Sequence, residues 1–142
     1  MADRVDPYRG FNFRVEIDGI QEAGFRECSG LDATTDPVDY REGTDANHVR
    51  KLTGLNKFSP ITLKRGITDS KTLWEWRQTV ISGKTNRKNV SIVLFNEAQE
   101  EKLRWNLREA WPSKWTGPSF NATSNEVAIE TLEIVHEEMV KA

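Results

Sequence analysis

Side chains able to do chemistry are few in this chain and poorly spaced for it. Acidic residues gather at Asp36, Asp39, Glu42 and Asp45. A carboxylate pair can do acid–base work when its surroundings tune one member toward the working pH. A charge run in a polar, glycine-broken stretch is ordinarily just solvated. Gly83-Lys84-Thr85 resembles the end of a phosphate-binding loop, yet Gln78 stands where the pattern needs glycine, and the helical stretch precedes the glycine instead of following it. His48 and His136 are the only histidines, and neither has a second ligand at metal-binding spacing. His136 reads as a solvated residue at a strand end. Cys28 is the single cysteine, so no internal disulfide is available, and it reads as a small buried residue rather than a nucleophile. Trp111 and Trp115 flank Pro112 and could stack on a base or a sugar. At a turn between strands they serve better to plug the end of a sandwich. Asn89-Val-Ser91 and Asn121-Ala-Thr123 match the glycosylation sequon, which reads as chance without a leader sequence. No catalytic residue, metal ligand or cofactor site is expected.

Composition narrows the classes further. The chain has 142 residues, 37% hydrophobic and 30% charged, the usage of one ordinary globular domain spanning residues 1–142. Five tryptophans and six phenylalanines supply much of its core. A net charge of −2 lacks the basic excess of a free-standing nucleic-acid binder. No run approaches the ~18 apolar residues of a membrane helix. The stretch Met1 to Tyr8 lacks the apolar segment of a secretory signal. The expectation is synthesis in the cytoplasm, with export by lysis or within a particle.

The elements that would carry any site are mostly strands. From Phe11 to Asp18 apolar and polar residues alternate, with Phe11, Phe13, Val15 and Ile17 on one face. Asp18-Gly19 signals a hairpin that returns through Ile20 to Cys28. Val38–Glu42 is a weaker strand. Residues 43–59 show no sustained periodicity and read as a long loop, of a length that usually has a function. Ile61–Gly66 resumes strand character. One helix is clear: Asp69 or Ser70 caps it, Leu73, Trp74, Trp76, Val80 and Ile81 form a broad apolar face, and Gly83 stops it. Asn89–Phe95 is a buried strand. Leu103 to Trp115 and Ser124 to His136 read as two amphipathic strands joined by an aromatic, proline-broken turn. Val127 and Ile129 share one parity and Leu132 and Ile134 the other, which a bulge near Thr131 would reconcile. The fold class is mainly β, a sandwich or barrel with one packed helix. Lys51, Lys57, Lys64 and Arg65 could bind nucleic acid or meet the acidic stretch of a second copy.

A series of tracts in order then carries a likeness: Tyr40–Gly43 with His48–Leu52 and Gly54; Ile61–Gly66 running into Leu73–Trp76; Ala110–Trp115; and Glu126 to Glu137. Together they resemble the tail tube proteins of contractile phages, and more closely the inner-tube proteins of phage-tail-like contractile injection systems. Thr53 and Glu138 depart from the family, where proline and glycine respectively are common. The resemblance implies a subunit of hexameric rings that stack into a hollow tube, driven by a contracting sheath. Baseplate and terminator or cap proteins are the further partners, and effector protein or DNA the cargo. Each subunit would give four strands to a continuous inner barrel. Six subunits at ~4.8 Å per strand give a perimeter of at least ~115 Å and a backbone diameter of roughly 40 Å.

On this reading Arg104, Asn106, Arg108 and Glu130 are candidates for the bore. Residues 44–58 are candidates for ring stacking, with Gly43, Asp45, Asn47, His48, Arg50, Lys51 and Lys57 as contacts. Trp74 and Trp76 would pack the helix at the subunit seam. A ring-forming initiator or baseplate hub of the same fold is an alternative, as is a β-barrel protein that binds single-stranded nucleic acid.

Overall fold

The computed structural model describes residues 12–18, 24–44, 47–123 and 127–142. In chain order the elements are β1 (Phe13–Ile17), β2 (Glu27–Ser29), β3 (Ala33–Tyr40), β4 (Arg50–Phe58), β5 (Ile61–Gly66), α1 (Thr72–Ile81), β6 (Lys88–Phe95), β7 (Glu101–Thr116), β8 (Ile129–Val135) and β9 (Glu138–Lys141). Seven strands form one antiparallel sheet in the order β1-β6-β7-β8-β5-β2, with β9 paired to β7. β3 and β4 form a separate two-stranded sheet.

The large sheet folds back on itself because β7 changes partner. Its first part, up to Ala110, pairs with β6, and residues 111–116 pair with β8. Glu109 sits at the change with φ 55°, a left-handed backbone that lets the strand turn. The two halves close over one core. β1 and β6 contribute Val15, Ile17, Val90 and Ile92; β5 and β8 contribute Ile61, Leu63, Leu132 and Ile134. Leu73 and Trp76 of α1 complete it, and the Trp76 indole N–H donates to the Asn86 carbonyl at 2.7 Å.

Several expectations change on contact with the structure. The strand expected from Phe11 is seen from Phe13; Phe11, Gly19 and Ile20 lie outside the described residues. The strands on either side of Asp18-Gly19 do not form a hairpin, since β1 pairs with β6 and β2 with β5. Trp111-Pro112 is not a turn. β7 runs through it, with Pro112 fully buried and opposite Ile134, and a register shift before Lys114. Proline is tolerated because residues 111–116 have a ladder partner on one side only among the described residues. The apolar stripe of α1 is narrower than expected: Leu73 and Trp76 are buried, while Trp74 and Ile81 are exposed. Neither Asp69 nor Ser70 is the cap: Lys71 holds the N-cap position without a side-chain cap bond, while the Ser70 hydroxyl accepts the Thr72 N–H at 3.4 Å, and the Lys84 N–H closes the helix end on the Thr79 carbonyl.

β8 has no bulge. Its register with β5 runs unbroken from Ile61↔Ile134 to Gly66↔Ile129. Glu130 therefore points inward and Ile129 outward. The parity conflict in the sequence is resolved by burying a charge, because Glu130 meets Arg65 directly across the ladder.

The long loop is largely a strand. β4 occupies Arg50–Phe58 and pairs with β3 from Ala33↔Phe58 to Tyr40↔Arg50. Periodicity was hidden there because both faces of the hairpin are exposed, so no burial imposes alternation. Two glycines are required by close approach. A Cβ on Gly30, at φ +99°, would lie 2.1 Å from the Pro60 carbonyl oxygen, and one on Gly54 would lie 2.6 Å from that of Asp36.

Candidate assembly surfaces

The β3–β4 hairpin is exposed along nearly its whole length. One of its faces carries Val38, Tyr40 and Leu52, each more than two-fifths exposed, with Val38 directly opposite Leu52. Ion pairs within the chain run along both faces of the hairpin, with Arg50 opposite Tyr40 on this face and Lys51 opposite Asp39 on the other. Lys57 meets Asp36 at 2.9 Å, Arg50 meets Glu42 at 3.8 Å, and Lys51 meets Asp39. Asp36, Asp39 and Glu42 thus tie the hairpin to the bases of β4. The bases expected to reach another copy are also engaged at home, Lys64 with Glu27 at 3.8 Å and Arg65 with Glu130. Gly43, Asn47 and His48 lie at the exposed tip; Asp45 lies outside the described residues.

At the root of the hairpin, His136 is not solvated as the sequence suggested. Its ring packs on Phe58 with centroids 5.7 Å apart, and both ring nitrogens are buried. Burial pushes the imidazole below its ordinary 6.5, opposed in part by the backbone of Glu138 and Ser59.

The body has two outward sheet faces, on opposite sides of the core. The first belongs to β1, β6, β7 and β9. Here Arg104, Asn106 and Arg108 do share a face, together with Arg14, Glu16, Ser91 and Glu138. Arg104 reaches Glu16 at 3.0 Å and also binds Glu101; Arg14 holds the same Glu16 at 3.0 Å; Arg108 holds Glu138 at 3.0 Å. Arg104 holds the carboxyls of Glu16 and Glu101 below their ordinary 4.5. Val93 lies between Arg14 and Arg104 in register and is fully covered, consistent with the aliphatic stems of long side chains lying over it.

The second face belongs to β2, β5, β8 and residues 111–116 of β7. Registers place Ser29, Thr62, Glu133 and Lys114 in one row across four strands, and Glu27, Lys64, Thr131 and Thr116 in the next. None of these except Lys64 stood out in the sequence. The alternation of Ile61–Arg65 and of Leu132–Ile134 was the signal that could have placed them.

Glu130 does not belong to either surface. It is 5% exposed, its carboxylate accepts from Arg65 and from the Trp115 indole N–H at 3.1 Å, and Phe25 lies over the guanidinium at 5.7 Å. As a bore residue it is corrected: a side chain inside the subunit cannot face a water-filled channel. Trp76 is core, whereas Trp74 is part-exposed and meets Trp115 edge-on at 5.0 Å. The Cys28 thiol is pushed up to about 11 by burial. Among the described residues no group of three His, Cys, Asp or Glu could hold a metal ion, and no helix is long and apolar enough to cross a membrane.

Free edges remain at both ends of the second face. β2 is terminal in the sheet order, and the far edge of residues 111–116 has no strand partner among the described residues. Unpaired edges of this kind are templates for another chain.

The sequence profile of the T4-like virus tail tube protein gp19 family matches residues 9–140. A chain of the PVC sheath–tube complex, an extracellular contractile injection system in its extended state, is similar at 29% identity and TM-score 0.86, covering 96% of this chain and 91% of that one. A chain of the tube-terminating cap of the anti-feeding prophage is similar at 30% identity and TM-score 0.89, covering 100% and 95%. Hcp1 from Flavobacterium johnsoniae shares the fold at 20% identity and TM-score 0.58, covering 92% and 94%. No curated protein matches the chain. With mainly antiparallel strands, one helix, a projecting hairpin and open sheet edges, the chain belongs to the T4-like virus tail tube protein family and is a structural subunit of the inner tube of a contractile tail.

Proposed function

We propose that six copies close into a ring, that rings stack through the β3–β4 hairpin, and that the resulting tube works as conduit and piston inside a sheath. The observation that carries this reading is the hairpin. A two-stranded sheet is at best marginal in water on its own, and this one leaves Val38, Tyr40 and Leu52 uncovered. An adjoining ring supplies the missing cover.

Ring closure follows from the free edges. The strands β2, β5, β8 and β7 alternate in direction, so the β7 edge of one copy meets the β2 edge of the next antiparallel. Four strands per copy then continue around a closed barrel, which removes every edge.

The same geometry supports one reading of the bore. β3 follows β2 after three residues, and β4 precedes β5 by two, so the hairpin prolongs the β2–β5 pair. A hairpin that reaches the next ring sets the direction of β2 and β5 along the tube. Their sheet therefore lines the channel, and the face bearing Arg104, Asn106 and Arg108 forms the outer wall, the reverse of the first expectation. Trp74 is proposed as a seam residue beside Trp115. The working partners are further copies, the sheath, the baseplate and a terminator, with protein or nucleic acid as cargo. The role is mechanical and not catalytic. The subunit is made in the cytoplasm and works within the assembled particle.

Negative-stain microscopy of purified protein tests the assembly: rings or hollow rods are expected, and a strict monomer at high concentration would sink the proposal. Val38→Ser/Leu52→Ser is expected to leave rings and abolish rods. Single cysteines at Asn106 and Thr131, probed in assembled rods with a maleimide too bulky to enter the channel, test the bore. Labelling is expected at position 106 and not at 131; the opposite pattern would reverse the assignment.

A further inference from the structure

We infer that the bore wall is charge-compensated row by row, with Glu27 and Glu133 masking Lys64 and Lys114, so that the channel retains neither polyanion nor polycation. This rests on the bore assignment proposed above.

In the first row across the second face, Ser29, Thr62, Glu133 and Lys114 lie side by side. In the next, Glu27, Lys64, Thr131 and Thr116 do so. Each row holds one cation, one carboxylate and two hydroxyls, and the two charges are always direct cross-strand neighbours. Opposite charges at such positions attract and set each other's side-chain direction. The order of charges is reversed between rows. Row one places its charges on β8 and β7, row two on β2 and β5, so the pairs are spread around the circumference and no cationic or anionic stripe runs along the tube.

The consequence is electrostatic. A passenger polyanion gains affinity by releasing counterions as fixed cations neutralise its phosphates, and each unmasked lysine adds to that gain. A lysine with a carboxylate on the neighbouring strand offers little, because the carboxylate repels the passenger as the lysine attracts it; Lys64 meets Glu27 at 3.8 Å, and Lys114 lies opposite Glu133 in register. The same holds in reverse for a basic passenger and the two glutamates. Threonine and serine hydroxyls hydrogen-bond equally well to water, so they add no adhesion. The wall acts on passengers of either sign in the same weak way, which suits a channel that has to empty rather than store.

The test uses assembled rods, and their formation is checked first by microscopy. Absence of rods would count against the proposed function and not against this inference. Wild-type rods are incubated at low salt with a short fluorescein-labelled oligothymidylate or with a short labelled oligolysine, then sedimented. Neither probe is expected to sediment above background. Glu133→Gln rods, and independently Glu27→Gln rods, are expected to retain the oligothymidylate at least about tenfold more strongly, with loss on adding salt. Lys114→Gln rods are expected to retain oligolysine instead. Glu138→Gln, which removes one carboxylate from the opposite face, is the control: any oligothymidylate it retains is expected to persist when the rod ends are capped before the probe is added, whereas retention by Glu133→Gln is expected to be lost. Retention of either probe by wild-type rods, or unchanged retention in both glutamate variants that still form rods, would overturn the inference. Retention by Glu133→Gln rods that survives capping of their ends would overturn it too.

Discussion

Removing Glu130 should nearly unfold the subunit, while removing its partner as well should restore it. Arg65 is 3% exposed and Glu130 5% exposed, and the two are directly paired inside the core. Glu130→Ala strips the guanidinium of its carboxylate and the Trp115 indole of its acceptor, and the Phe25 ring 5.7 Å away is no substitute for a counter-charge. Breaking one side of a buried pair costs ~3–5 kcal/mol, because a desolvated charge stays behind. Set against a typical total stability of ~5–15 kcal/mol, that is a large fraction. With a urea slope of ~1–3 kcal/mol per molar, the midpoint should fall by about 2 M. Arg65→Leu/Glu130→Leu removes both charges from an apolar setting and should recover most of the loss, or exceed wild type. Glu130→Gln keeps an acceptor for Trp115 and should fall between. The assay is urea denaturation of the dispersed subunit followed by tryptophan fluorescence. A Glu130→Ala variant within ~1 kcal/mol of wild type would refute the reasoning, as would a double variant no better than the single one.

Three other outcomes are expected. Folding keeps the His136 imidazole neutral, so its folded pKa lies below the unfolded value. Above the ordinary 6.5 it has no effect; as pH falls below that, the unfolded chain takes the proton first and stability declines, levelling off once the folded pKa is passed. His136→Phe should flatten this part of the profile in thermal melts between about pH 7 and about pH 5, and an unchanged slope would exclude His136 as its source. Glu109 pays for a left-handed backbone at φ 55°, so Glu109→Gly should be neutral or stabilising by ~1 kcal/mol in urea, and Glu109→Val clearly destabilising. Gly54→Val should push the hairpin strands apart, since even a Cβ would meet the Asp36 carbonyl oxygen at 2.6 Å; rods should be lost while the core melts normally, and rods that persist would show that the hairpin tolerates the distortion.

The strands whose one face is buried were legible from alternation alone: Phe13–Ile17, Ile61–Gly66 and the first part of β7 stand where the pattern put them. Three features resisted, each for a physical reason. The hairpin shows no period because neither face is buried in the lone subunit. Glu130 breaks its strand's pattern because a paired charge can take a core position that composition assigns to an aliphatic residue. Pro112 signals a turn to any reader of sequence, yet it is compatible with a strand that bonds on one side. The candidate surfaces were harder still. Which outward face meets water in the assembly depends on how the hairpin continues β2 and β5, and that continuity is a property of topology that no local motif records.

Because β7 belongs to both halves of the sheet, the two outward faces of the subunit, proposed as outer skin and channel lining, share one unbroken backbone. Sideways slip of one layer over the other would require rupture of interstrand ladders rather than mere sliding of side chains. A thrust applied at the exterior therefore reaches the interior through covalent bonds, and the subunit should deform as a single stiff shell.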